Sequence, residues 1–107
     1  MVAWIGGTNF RKNSASGINV TLDGAQIFTK NNTFISNKRE GIEVNAYGAS
    51  GRVDISNSKF SDNTSYGIAR VQRKAFFGNI WNGLTVAGST FSKTGKGEIS
   101  GVFRIIK

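Results

Sequence analysis

The sequence predicts an all-β chain wound into a solenoid of about four coils, and three observations predict it. A phenylalanine recurs at Phe10, Phe34, Phe60 and Phe91, with spacings of 24, 26 and 31 residues that approximate one turn of a solenoid. Eight residues after each stands an isoleucine, Ile18, Ile42, Ile68 or Ile99, preceded by Gly17, Gly41, Gly67 and, in the fourth copy, Glu98. Seven and five residues before each stand the pairs Ala3 with Ile5, Ile27 with Thr29, Val53 with Ile55, and Leu84 with Val86. A spacing of two places both members of a pair on one face of a strand.

These columns lay out each coil in order. The spaced pair makes a first strand. Three residues before the phenylalanine come Gly7, Asn31, Asn57 and Gly88, the residue types that enter the left-handed backbone region most cheaply, so a tight corner belongs there. The phenylalanine centres a short second strand. Three residues after it come Asn13, Asn37, Asn63 and then Thr94, where stacked amides would hydrogen-bond from coil to coil as an asparagine ladder. The Gly-Ile step opens a third strand. Phenylalanine then stacks on phenylalanine and isoleucine on isoleucine, with coils about 4.8 Å apart.

Composition agrees with this layout. The chain has 14 Gly and no Pro, together with 8 Phe and many Asn, Ser and Thr, and its apolar residues seldom recur at helical spacing. Its 107 residues fit a single domain, 1–107. The absence of Cys and His excludes a structural zinc, a Ser-His-Asp or Cys-His catalytic centre and a disulfide framework. The apolar stretches are far shorter than the roughly 20 residues of a membrane helix, so no membrane insertion is expected. A formal charge of +8 favours anionic partners.

The F-x-x-N and G-I columns, running from Ala3 to about Val102, resemble the right-handed parallel β-helix repeat of the pectate-lyase-like superfamily. The resemblance implies a right-handed, single-stranded parallel β-helix. It implies less about activity, because lyases, polygalacturonases, epimerases, tailspikes and adhesins share the repeat. No amphipathic capping helix is legible, and Val102 to Ile106 is apolar, so further coils or self-association through the ends are expected. The setting stays open, with an extracellular, cell-surface or virion one favoured.

Lyases of this fold hold calcium on clustered acids and use Arg or Lys as base, whereas glycoside hydrolases need two carboxylates facing one cleft. Here no column contains two acids. Glu43 lies between inward Ile42 and Val44, and Asp54 between Val53 and Ile55, so both are expected to point outward into solvent. With Arg70 they are the catalytic candidates, incomplete without coils from elsewhere. No cofactor is expected, calcium only if such coils complete a lyase site.

Basic residues are less scattered. Arg11, Lys12, Lys38, Arg39, Lys93 and Lys96 all fall between a phenylalanine and the following Gly-Ile step or its counterpart, which predicts a positive stripe. The third coil is longer, with its surplus within Gln72 to Asn82, and insertions in solenoids map to loops. Arg73, Lys74, Phe76, Phe77 and Trp81 in that segment would combine cationic grip with aromatic stacking on sugars. Trp4 and Phe28 share an outward column as a further aromatic pair. The ligand candidates are therefore Arg73, Lys74, Phe76, Trp81, Lys38, Arg39, Lys93 and Lys96. The expected function is a polysaccharide-binding or tailspike-like surface module recognising acidic glycans. The alternatives are a fragment of a lyase, epimerase or hydrolase, and a purely structural solenoid segment. Nucleic acid ranks lower, since no regular aromatic column accompanies the cations.

Overall fold

A computed structural model describes residues 2–74, 80–100 and 104–105, without the side chains of Lys74, Arg104 and Ile105. Phe76, Phe77 and the apolar run at 102–103 and 106 lie outside the described residues.

The first coil contributes β1 (Val2–Gly6), β2 (Asn9–Arg11) and β3 (Ile18–Leu22). The second contributes β4 (Gln26–Lys30), β5 (Thr33–Ile35) and β6 (Ile42–Tyr47), and the third β7 (Arg52–Ser56), β8 (Lys59–Ser61) and β9 (Tyr66–Lys74). The fourth contributes β10 (Leu84–Ala87), β11 (Thr90–Ser92) and β12 (Gly97–Ile99), with β13 (Arg104–Ile105) beyond it. Every third strand pairs in parallel, giving one sheet in the order β1-β4-β7-β10, a second in the order β11-β8-β5-β2 and a third in the order β12-β9-β6-β3. β13 adds to β9 at Val71 and Gln72. The chain is therefore a parallel β-helix, and its coil register is the one the columns predict. Phe10 pairs with Phe34, Phe34 with Phe60 and Phe60 with Phe91. Ile18 pairs with Ile42, Ile42 with Ile68 and Ile68 with Ile99.

Inside, the phenylalanine rings stack at centroid distances of 5.0, 4.7 and 4.7 Å, within 10° of parallel. Phe34 and Phe60, with a ring above and below, are fully buried, while Phe10 and Phe91 stack on one ring each and are half-buried. The Gly-Ile step has a steric cause. A Cβ on Gly41 would stand 2.7 Å from the Phe60 ring and 2.8 Å from the Gly67 carbonyl, so no larger residue passes the stack at that point.

The predicted left-handed corner is present, with φ of 63° at Gly7, 58° at Asn31, 48° at Asn57 and 62° at Gly88. A second left-handed column, two residues after each phenylalanine, holds Lys12, Ser36, Asp62 and Lys93 at φ between 51° and 56°. Side chains of these types usually resist that region by roughly 1–2 kcal/mol. Here the amides of Lys12, Ser36 and Asp62 donate to the next coil at Ile35, Ser61 and Ser92, which holds the conformation.

The asparagine ladder forms as expected. Asn13 Nδ2 donates to Asn37 Oδ1 at 2.8 Å, and Asn37 Nδ2 to Asn63 Oδ1 at 2.9 Å. A second polar ladder runs two residues before each phenylalanine. The amides of Thr8, Asn32 and Ser58 donate to the side-chain oxygens of Asn32, Ser58 and Ser89.

Trp81 corrects an expectation. Rather than presenting an aromatic face to a ligand, it is fully buried in the core. Its indole N–H donates to the Gly51 carbonyl at 2.9 Å, and its backbone N–H to Gln72 Oε1 at 2.9 Å. Gln72 Nε2 in turn donates to the Gly48 carbonyl at 2.9 Å. Trp81, at the end of the third coil's longer segment, is thus anchored inward.

Candidate cation-lined cleft

A cleft of about 520 Å³ opens on the corner that leads from the phenylalanine sheet into the β3-β6-β9-β12 sheet. Its cations are Lys38, Arg39, Arg70 and Lys96, and its carboxylates are Glu40 and Glu43. Backbone bonds between coils fix where these side chains stand. The amide of Lys38 donates to the Asn13 carbonyl at 3.0 Å, Ser65 to Arg39 at 3.1 Å and Lys96 to Ser65 at 3.2 Å. Arg39, Ser65 and Lys96 therefore occupy one column on three successive coils. Thr64, Ser65 and Tyr66 line the cleft between the cations.

The expectation that Glu43 is solvated is overturned: it is 2 % exposed. Strand alternation does turn it away from the apolar core, but other polar groups cover it. Arg39 Nη2 lies 2.8 Å from Oε1, while Asn19 Nδ2 and Asn45 Nδ2 each donate to Oε2 at 3.1 Å. Arg73 Nε donates to Asn45 Oδ1 at 2.8 Å and closes the cluster from the next coil. Glu40, which sequence reasoning missed, is also buried. It accepts from Ser16 Oγ at 3.2 Å and lies 3.6 Å from Arg39 Nε. The available signal was its spacing of three from Glu43 across the Gly41-Ile42 corner. Comparing coils cannot show this, because both acids belong to one coil.

Burial pushes the Glu43 carboxyl up, but the hydrogen bond from Asn45 and the charges of Arg39 and Arg73 outweigh it. The net effect holds Glu43 below its ordinary value of 4.5. A carboxyl whose folded value is depressed stabilises the fold above its unfolded value and loses that contribution as pH falls through the folded one. We expect the urea midpoint to be level from about pH 7 to 5 and to fall below about pH 4.5, where Glu43 is protonated in the unfolded chain. In Glu43→Gln the acid-side fall should be shallower. An equal fall in both proteins would show that other carboxylates govern the acid limit.

The remaining candidates separate. Arg70 pairs in register with buried Val44, and its Nε and Nη2 donate to the Ser100 carbonyl at 3.1 and 2.7 Å. It borders the cleft while fastening β9 to the residue after β12. Asp54 stands on the β1-β4-β7-β10 sheet, held by Arg52 at 3.1 Å, so Glu43, Asp54 and Arg70 do not converge. The predicted stripe divides too. Lys38, Arg39 and Lys96 meet in the cleft, whereas Lys93 follows Lys12 in the left-handed column and does not line it. Arg73 approaches from behind Asn45, and the Lys74 side chain is outside the described residues. No group of three or more acids that would hold a metal ion occurs among the described residues.

A family model described as a right-handed β-helix region matches residues 2–101. Comparison with curated proteins and with solved structures gives no match. The family match covers the same span as the repeated columns and the three parallel sheets, and the chain belongs to the right-handed β-helix family.

Proposed function

We propose that this β-helix module binds an acidic polysaccharide along the cleft, as part of a surface or tailspike-like assembly. The observation that carries this reading is the state of Lys38 and Lys96. Both are exposed at the cleft, and neither takes part in an ion pair among the described residues. Arg39, by contrast, is committed to Glu40 and Glu43, which orients its guanidinium on the cleft wall and neutralises it. The two lysines thus present uncompensated positive charge beside hydroxyl donors from Thr64, Ser65 and Tyr66. Coil spacing of about 4.8 Å approximates the length of one sugar residue, so charges repeated along the solenoid suit carboxylates or sulfates repeated along a glycan. Binding is favoured over cleavage because both carboxylates are covered by their own partners.

An array of acidic and neutral glycans, probed at about 50 mM and 500 mM salt, tests the proposal, since the screening length falls from roughly 14 Å to 4 Å over that range. Retention on carboxylated or sulfated glycans at low salt, fading at high salt, is expected. No retention on any acidic glycan, or retention indifferent to salt, would overturn it.

A further inference from the structure

We infer that Asn82 is a self-modifying site, at which the Gly83 nitrogen displaces the side-chain amide and converts the residue to aspartate or isoaspartate. Asn82 is exposed, and its side chain makes no hydrogen bond among the described residues. The Gly83 amide, next in the chain, also donates to nothing among them. That gap has a local cause. Register continued from Leu84 and Val53 sets Gly83 opposite Arg52, whose own amide donates one coil back to the Ala25 carbonyl at 2.9 Å. The matching acceptor for Gly83 is the Gly51 carbonyl, and the Trp81 indole N–H occupies it at 2.9 Å. The missing bond therefore belongs between the third and fourth coils, inside the stack rather than at either end of it. Two other exposed asparagines, both at the left-handed corner, lack this freedom. After Asn31 the Asn32 amide donates to Ser58 Oγ at 3.3 Å, and after Asn57 the Ser58 amide donates to Ser89 Oγ at 3.1 Å.

Packing also fixes the glycine that the chemistry favours. A Cβ on Gly83 would collide with the Gly51 carbonyl and stand 2.8 Å from the Trp81 indole nitrogen. Without one, the attacking nitrogen is unshielded and its backbone angles are unrestricted. The reaction consumes only water. Gly83 N bonds to Asn82 Cγ, the Cγ–Nδ2 bond breaks, and ammonia leaves with the former amide proton, which gives a five-membered imide. Water opening that ring at Cγ yields aspartate. Opening at the Asn82 main-chain carbonyl yields isoaspartate, in which the chain runs on through Cβ and Cγ and is one methylene longer. Either product adds a negative charge to a chain whose formal charge is +8. The longer link falls between Trp81, buried in the core, and Gly83, whose carbonyl accepts from the Val53 amide at 2.9 Å. Isoaspartate thus loosens the joint at which the fourth coil leaves the third, whereas aspartate keeps the backbone path.

Ageing the full chain in mildly alkaline buffer, with peptide mapping by mass spectrometry, tests the site. Conversion at Asn82 should run about as fast in the folded chain as in the same chain unfolded in urea. In the folded chain it should lead Asn31 and Asn57 by about tenfold or more, since their attacking nitrogens must first give up a hydrogen bond. Asn82→Ser should remove the fast event. The isoaspartyl product, separated by ion exchange, should open Trp81 to acrylamide quenching. Asn82→Asp, which carries the same charge on an unaltered backbone, should keep Trp81 shielded. Trp4, 72 % exposed and stacked on Phe28, is the quenched reference in every sample. Folding that slows Asn82 by about tenfold or more relative to urea, or conversion of Asn31 or Asn57 at the same rate, would overturn the site. Trp81 remaining shielded in the isoaspartyl product would overturn the loosened joint.

Discussion

Asn37→Ala should cost about 3–5 kcal/mol, because it orphans several buried polar groups at about 1–3 kcal/mol each. Asn37 is fully buried. Its Oδ1 accepts from Asn13 Nδ2 at 2.8 Å and from the Asn13 amide at 3.3 Å, and its Nδ2 donates to the Phe10 carbonyl at 3.1 Å and to Asn63 Oδ1 at 2.9 Å. Alanine removes every one of these at a corner where Asn37 and Asn63 are buried and Asn13 and Phe10 are half-buried. A loss of this size is a large share of the roughly 5–15 kcal/mol that holds an ordinary domain together. Urea unfolding followed by circular dichroism would measure it, with exposed Ser14→Ala as a control expected within about 0.5 kcal/mol of the parent. A loss under about 1 kcal/mol for Asn37→Ala would mean that the ladder accompanies the coil stacking rather than stabilising it.

Trp81→Ala should also cost about 3–5 kcal/mol, the range for deleting a large aromatic from a packed interior. The side chain is buried against the core, and the indole N–H satisfies the Gly51 carbonyl. Trp81→Phe separates the two contributions. It keeps most of the apolar volume and removes the hydrogen bond, so a loss of about 1 kcal/mol or somewhat more is expected. Trp81 also supplies its own readout, since a buried indole emits to the blue of exposed Trp4. The parent should show both components, and each Trp81 variant only the exposed one. If Trp81→Ala left stability and the blue component unchanged, the third coil would not be closed around this residue.

The two residues differ in how readable they are from sequence. Asn37 belongs to a column, and the repetition of Asn13, Asn37 and Asn63 at one offset reveals both the coil register and the amide ladder. The phenylalanine and isoleucine columns are legible for the same reason. Trp81 occurs once, inside the longer third turn, and its partners Gln72 and Gly51 lie at unrelated offsets. Aromatic content near Arg73 and Lys74 therefore reads equally well as a binding loop or as a plug. Only the packing distinguishes them.

The cleft shows the same division. Alternation correctly turns Glu43 away from the core, yet its burial comes from groups that alternation does not relate to it. Arg39 reaches it from around the corner of its own coil, and Arg73 comes from the next coil, where the pairing slips past Ala46 and Tyr47. The basic stripe fails at finer scale. Lys93 and Lys96 share one short interval between strands, but the backbone turns left-handed at Lys93, so the two side chains leave the corner at different places. Position along the coil, rather than membership of the same loop, decides which cations meet: Lys38 stands four residues after its phenylalanine, beside the column of Arg39 and Lys96, whereas Lys93 stands two after. Lys96 meets Arg39 because both stand five residues after their phenylalanines, at Phe91 and Phe34.

Direct titration with polygalacturonate, a polymer of carboxylated sugars, tests the cleft most sharply when the parent and Lys38→Ala/Lys96→Ala are compared at about 50 mM and 300 mM salt. Both lysines are exposed, so the variant should retain the parent's stability within about 0.5 kcal/mol. Removing two uncompensated charges should weaken binding about tenfold at the lower salt and flatten its salt dependence. Parent and variant binding with the same affinity and the same salt dependence would contradict the assignment of the acidic glycan to this cleft.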